Sequence, residues 1–222
     1  DNITIDLIYG LPEMTIEAWE LNLQKAINLN VQHISAYNLT VEKGTALHHF
    51  VKTGKSKPVN DESSAEQFKI LIQTLEENGF IQYEISNFGK ENYFSKHNSS
   101  YWKRKFYLGI GPSAHSFNGN TRQWNVANNA KYIKAINAGE VPFELEKLSK
   151  NDRYNEYILL GLRTIWGCEF DYVKSEFGEE RLRNLKEQLL NYSDQINIDE
   201  QSFSLNQKGK VFADRIASEL FV

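Results

Sequence analysis

An α/β fold followed by a winged-helix-like α+β module is what this sequence predicts, and three patterns carry the prediction. Asn2–Tyr9 is a β-branched, apolar run stopped by Gly10-Leu11-Pro12, and a second such run spans His33–Leu39. Between them Trp19, Leu23, Ala26 and Ile27 recur at helical spacing, so strand, helix and strand make one βαβ unit. After Pro142 the pattern changes to helical stretches, two short strand-like runs about Asp199-Glu200-Gln201, and a closing helix.

Taken in order, the first run has the continuous apolar character of a strand buried on both faces of a parallel sheet. Thr15 is placed to cap the first helix, its hydroxyl accepting from a free first-turn amide. Val41–Asn60 reads as a loop, with Gly44, Gly54 and Pro58. Asp61 is placed to cap a second helix with Ala65, Phe68, Leu71, Ile72 and Leu75 inward and Gly79 at its stop. Gln82–Ser86 reads as one strand, and Asn87–Lys105 as a long polar and aromatic loop of the kind that carries function. Tyr107–Ser116 is small and apolar, and Asn128–Ala138 is a short helix. Ser149 caps a helix reaching about Arg163, which Gly167 breaks. Phe170–Phe177 and Glu180–Leu190 are shorter helical segments, Gln195–Ile198 and Ser202–Leu205 are the hairpin strands, and Asn206 caps a last helix. The boundary between the two parts is placed so that they span 1–145 and 146–222.

Composition narrows the function. At 41% hydrophobic and 24% charged residues the chain is an ordinary globular one, and no apolar run approaches the roughly 20 residues of a membrane helix. Residues 1–150 carry 16 Lys+Arg against 16 Asp+Glu, whereas residues 151–222 carry 9 against 13. Nucleic-acid binding needs a basic recognition helix and a basic wing, and here the hairpin tip is acidic, so no nucleic-acid partner is expected. A single cysteine, Cys168, excludes an internal disulfide framework and accords with a cytoplasmic setting. The chain opens on Asp1, without Met, at the threshold of a strand, which points to a piece of a longer protein.

Chemistry concentrates in His97-Asn98-Ser99-Ser100-Tyr101-Trp102. A neutral imidazole can hold a haem iron axially, and Tyr and Trp offer flat apolar faces to a porphyrin; ordinary packing is the plainer reading of the same residues. Asp6 sits mid-strand among apolar residues, as a contact to a nucleoside-like cofactor or as half of a structural salt bridge. Gly109-Ile110-Gly111-Pro112-Ser113-Ala114 lets a ligand approach the main chain or simply makes a tight turn, and His115 follows it. His48-His49 lacks a further ligand at metal spacing and reads as a pair of loop histidines. His33 reads as structural, and Cys168 as a small buried hydrophobe.

Asp6-Leu-Ile-Tyr-Gly-Leu-Pro12, Ile34-Ser-Ala-Tyr-Asn-Leu-Thr40, Glu42-Lys-Gly-Thr45, Tyr83-Glu-Ile-Ser-Asn-Phe88, His97-Asn-Ser-Ser-Tyr-Trp102 and Tyr107-Leu-Gly-Ile-Gly-Pro-Ser-Ala-His-Ser116 stand in the order seen in one family. The chain resembles the radical S-adenosylmethionine proteins of the oxygen-independent coproporphyrinogen III oxidase type, and within them the haem-chaperone branch. The resemblance covers nearly the whole chain. It implies the C-terminal portion of a partial (β/α) TIM-like radical S-adenosylmethionine barrel ahead of the winged-helix-like module. It also implies S-adenosylmethionine and a [4Fe–4S] cluster in the intact protein, with Asp6, Thr40 and His115 as contacts to S-adenosylmethionine. His97, Asn98, Tyr101 and Trp102 become the haem-binding residues, with His97 the candidate ligand of the haem iron. No catalytic residue is assigned.

One departure bears on activity. Such proteins hold the cluster on a Cys-x-x-x-Cys-x-x-Cys loop, and this chain has only Cys168, so by itself it is expected not to cleave S-adenosylmethionine. The function implied is haem binding and delivery to an acceptor haem protein. The alternative is oxidative decarboxylation of coproporphyrinogen III in porphyrin biosynthesis, for which Lys103-Arg104-Lys105 would bind propionates. The same cluster would serve haem propionates equally well.

Overall fold

The computed structural model describes residues 2–222, which divide into two compact units, residues 2–95 with 207–211 and residues 96–206 with 212–222. In the first unit, β1 (Thr4–Tyr9), α1 (Ile16–Asn28) and β2 (His33–Asn38) form the expected βαβ unit, β1 and β2 running parallel. There follow α2 (Ala46–Lys52), α3 (Asp61–Glu77), β3 (Ile81–Glu84) and β4 (Asn87–Gly89). The sheet order is β1-β2-β4-β3, with β4 antiparallel to both neighbours. The run read as one strand from Gln82 to Ser86 is therefore the start of a tight hairpin. Its turn is held by Gln82 Nε2 donating to Ile85 O at 3.0 Å and Ser86 N–H donating to Glu84 Oε2 at 3.2 Å.

Helix caps explain where the helices begin. Thr15 Oγ1 accepts from Ala18 N–H at 3.2 Å, while α3 starts one residue earlier than expected, with Asn60 Oδ1 accepting from Ser63 N–H at 2.9 Å. Trp19, Leu23, Leu71, Leu75 and Ile34 are fully buried between α1, α3 and the sheet. Only one face of β1 joins this core. Ile5 and Leu7 pack on it, whereas Thr4, Asp6 and Ile8 are exposed. Among the described residues β1 lies at the end of the sheet, with both helices on its Ile5–Leu7 side, so these residues cover one of the two faces that were expected to be buried.

The second unit opens with α4 (Lys96–Trp102), in a stretch read as loop. An antiparallel sheet of β5 (His115–Phe117), β6 (Thr121–Asn125) and β7 (Phe143–Lys147) follows, with α5 (Asn129–Asn137) inserted before β7. Position 145/146 lies within β7. Then come α6 (Lys150–Leu162), β8 (Cys168–Glu169), α7 (Phe170–Phe177), α8 (Glu179–Leu189), β9 (Ile196–Ile198) and β10 (Ser202–Leu205). Ser149 and Asp152 form a reciprocal capping box at the start of α6, at 3.1 and 2.8 Å. The β9–β10 hairpin closes as read, its Asp199 carboxylate accepting from the amides of Gln201 and Ser202 at 2.7 Å each. The closing helix is two pieces: α9 (Gln207–Lys210), which belongs to the first unit, and α10 (Ala213–Glu219), which belongs to the second.

Candidate functional site

Seven residues suffice for α4 because its end is strongly tied. Lys105 N–H donates to Ser100 O at 2.9 Å and Arg104 N–H to Tyr101 O at 2.9 Å, the two bonds of a Schellman motif. The position that usually takes glycine is Arg104, at φ +53°. Its guanidinium is held by Tyr172 Oη at 2.8 Å and lies 4.0 Å from the Glu156 carboxylate, and these contacts offset the backbone cost. Glu156 in turn pairs with Arg122.

On this short helix His97 and Tyr101 stand four residues apart and share a face. Their rings meet edge-on at 5.0 Å, and Tyr101 meets Tyr107 edge-on at 4.8 Å. His97 is exposed, and among the described residues its ring makes no hydrogen bond or ion pair. Trp102, five residues on from His97, is turned about 140° around the helix. It lines a separate cleft of about 510 Å³ with Arg104, Phe106, Arg153, Tyr157 and Trp166. The histidine and the two aromatics quoted together thus do not share one surface. Asn98 is half-buried, and Ser99 between them is buried.

Among the described residues no group of three or more His, Cys, Asp or Glu is placed to hold a bare metal ion. An iron inside a macrocycle brings its own equatorial nitrogens and needs only an axial ligand. The exposed imidazole of His97 meets that lesser demand, and the Tyr101–Tyr107 rings provide apolar surface beside it. The residues fit haem.

The positions assigned to S-adenosylmethionine fall in different units. Asp6 lies on the exposed face of β1, in register with Ser35 of β2, and Thr40 is exposed just past the end of β2. Among the described residues Asp6 forms no salt bridge, so the structural ion pair weighed for it is not made. His115 opens β5 in the second unit, exposed, with its ring 6.1 Å from that of Trp124. No thiolate is available for an iron–sulfur cluster. Cys168 is fully buried, its Sγ lies 3.7 Å from Tyr157 O, and burial pushes its pKa far up.

Several other expectations resolve. Gly109 is explained by packing, because a Cβ there would stand 2.1 Å from His115 O. His48 and His49 lie on α2, not in a loop, because Thr45 caps that helix at 3.2 Å. His33 is structural: its Nδ1 lies 2.7 Å from Thr4 Oγ1 and its Nε2 2.8 Å from Tyr83 Oη, in a buried setting. Burial lowers the pKa of His33, with the Asp6 charge opposing, and burial pushes that of Tyr83 up to about 12. Sequence reasoning missed Gln67 and Arg153. Gln67 accepts from Gly10 N–H at 2.8 Å, and Arg153 reaches the cleft from α6. Neither carries a local signal, since both read as polar residues on helix faces.

No family model matches the chain. In fold it matches the coproporphyrinogen III oxidase HemN of Escherichia coli, a radical SAM enzyme, with a TM-score of 0.75 and 17% identity, over 100% of this chain and 55% of that one. This fold and sequence define the class: radical S-adenosylmethionine proteins built like the oxygen-independent coproporphyrinogen III oxidases. In sequence the chain is 31% identical to the heme chaperone HemW of Bacillus subtilis, over 97% of this chain and 58% of that protein. It is also 40% identical over 113 residues to the mitochondrial radical S-adenosyl methionine domain-containing protein 1 of Danio rerio, which is 51% of this chain and 26% of that protein. Within the class the chain is therefore HemW-like, and it spans a little over half the length of the HemW proteins it matches. Among the described residues no helix is long and apolar enough to cross a membrane.

Proposed function

We propose that this chain carries the haem-binding part of a haem chaperone, holding haem through His97 and passing it to an acceptor haem protein. The observation that carries the reading is the exposed, unengaged imidazole of His97 beside the Tyr101–Tyr107 pair. Tyr101 restrains the imidazole through its edge contact, and the exposed position suits a ligand that must give up its cargo. Asp6, Thr40 and His115 are assigned to S-adenosylmethionine in the intact protein, where that cofactor and its cluster would supply radical chemistry. With its only thiol buried, this chain does not fit the cluster. A cytoplasmic site of action belongs to the same proposal. The oxidase alternative draws on the fold match, which at 17% identity speaks for the fold alone.

The test is a haem titration of the chain and of His97→Ala, following the Soret band, with circular dichroism as the check on folding. Saturable, near-equimolar binding by the wild type and its loss in a folded His97→Ala variant are expected. Equal binding by both would remove His97 as the ligand, and no binding by a folded wild type would remove the reading.

A further inference from the structure

We infer that the cleft under Trp102 receives the carboxylate-bearing edge of the tetrapyrrole and that Arg153 and Lys103 hold it; this rests on the haem-binding reading and deepens it. The cleft, about 510 Å³, is of ligand size and lies wholly within the second unit. Its walls include two indoles, Trp102 and Trp166, with Tyr157 and Phe106. A flat apolar ring edge matches such walls.

Its cations differ in how far they are already engaged. Arg104 is held by Tyr172 and Glu156; Arg163, which lies over the Trp102 ring at 5.5 Å but does not line the cleft, is paired with Asp214. Arg153 has only the Asn120 side chain, at 3.3 Å from one terminal nitrogen; its Nε, like that of Arg104, is buried without a hydrogen-bond partner. Lys103 rests its ammonium over Trp166 at 4.1 Å. Among the described residues neither Arg153 nor Lys103 forms an ion pair, so each has charge to offer. A guanidinium fork matches a carboxylate with paired donors.

The anionic side sets the ligand class. Glu169 and Glu176 also line the cleft, both exposed. A polyanion such as a nucleotide phosphate chain would meet these carboxylates with too few free cations to compensate. A planar apolar body with one or two carboxylates satisfies both the indoles and the free cations.

The experiment compares haem with haem dimethyl ester, whose propionates are masked, on the full chain and on Arg153→Met, Arg153→Lys and Lys103→Met. Arg153→Met and Lys103→Met are expected to weaken haem binding by about tenfold each, the scale of a lost charged hydrogen bond. Arg153→Lys should recover part of the loss, and all four proteins should bind the ester equally. Loss of affinity for haem and ester alike would overturn the inference, because the cleft would then be supporting the fold or the ring alone. Unchanged haem affinity in both Met variants would overturn it too, while leaving the His97 reading intact. A folded wild type that binds no haem would overturn both, and the His97→Ala titration tells these failures apart.

Discussion

At the scale of single residues, the first unit turns on a buried amide. Gln67 is fully buried on α3, accepts from Gly10 N–H at 2.8 Å and donates to Met14 O at 3.2 Å. Its own carbonyl accepts from the Trp19 indole at 2.9 Å. The side chain thus satisfies the turn that carries the chain from β1 into α1, where Gly10 at φ +71° leaves no room for a Cβ beside Asn38 and Ser64. Replacing it with Met keeps the volume and removes both bonds, leaving a buried N–H and a carbonyl unpaired. We expect Gln67→Met to cost about 1–3 kcal/mol per orphaned group, read as a lower urea midpoint at unchanged slope. A midpoint within error of the wild type would mean that the turn relaxes to find water. None of this is legible in sequence, where Gln67 is one polar letter in a helix. By contrast, Thr15 and Ser149 were readable as caps, because capping depends on residues three apart in the chain. His97 was readable as a candidate, whereas Arg153 was not, because its partners in the cleft are brought there by tertiary packing.

At the scale of elements, β2 carries a titration. His33 opens the strand with its ring between Thr4 and Tyr83, and burial lowers its pKa from the ordinary 6.5. In the unfolded chain the same imidazole takes up its proton near 6.5, before the folded one does. The neutral buried form therefore contributes its full stability above that pH, and the contribution is lost as pH falls from there toward the lower folded value. Hydrogen exchange of the β2 amides should accordingly lose protection between pH 7.5 and 5.5, after correction for intrinsic rates. His33→Gln, which cannot titrate, should lose clearly less over the same interval; equal losses would place the acid sensitivity elsewhere. The βαβ unit around this strand was legible because its periodicities are long and uninterrupted. Helix α4 was not, since His97, Asn98, Ser99 and Ser100 are middling or poor helix formers and the Schellman closure at Arg104 decides the matter. Nor were β5 and β7: three- and five-residue strands with partners elsewhere in the chain give little local signal.

At the scale of the whole molecule, the family was legible from motif order, and the fold follows it. The sheet of the first unit is mixed, because a hairpin returns β4 between β2 and β3, a choice made by tertiary pairing that no local run of residues announces. The one thiol offers a way to watch the second unit as a body. Cys168 has no exposed surface, its burial raises the pKa, and α6 approaches so closely that a Cβ on Gly161 would stand 2.3 Å from its sulfur. Reaction with a disulfide reagent needs a thiolate in contact with solvent, and the folded protein supplies neither condition. We therefore expect labelling of the native chain to be slower by orders of magnitude than that of the urea-unfolded chain, at a rate that rises with urea as the protected population opens. Because the chain has a single cysteine, each labelling event reports that opening. Rapid labelling without denaturant would mean that α6 and β8 separate readily in the native state. Gly161, which lines the cleft and packs on Cys168, would then be mobile, and the cleft that Arg153 and Trp102 line would lose the rigid frame on which the inferred selectivity for a carboxylate depends.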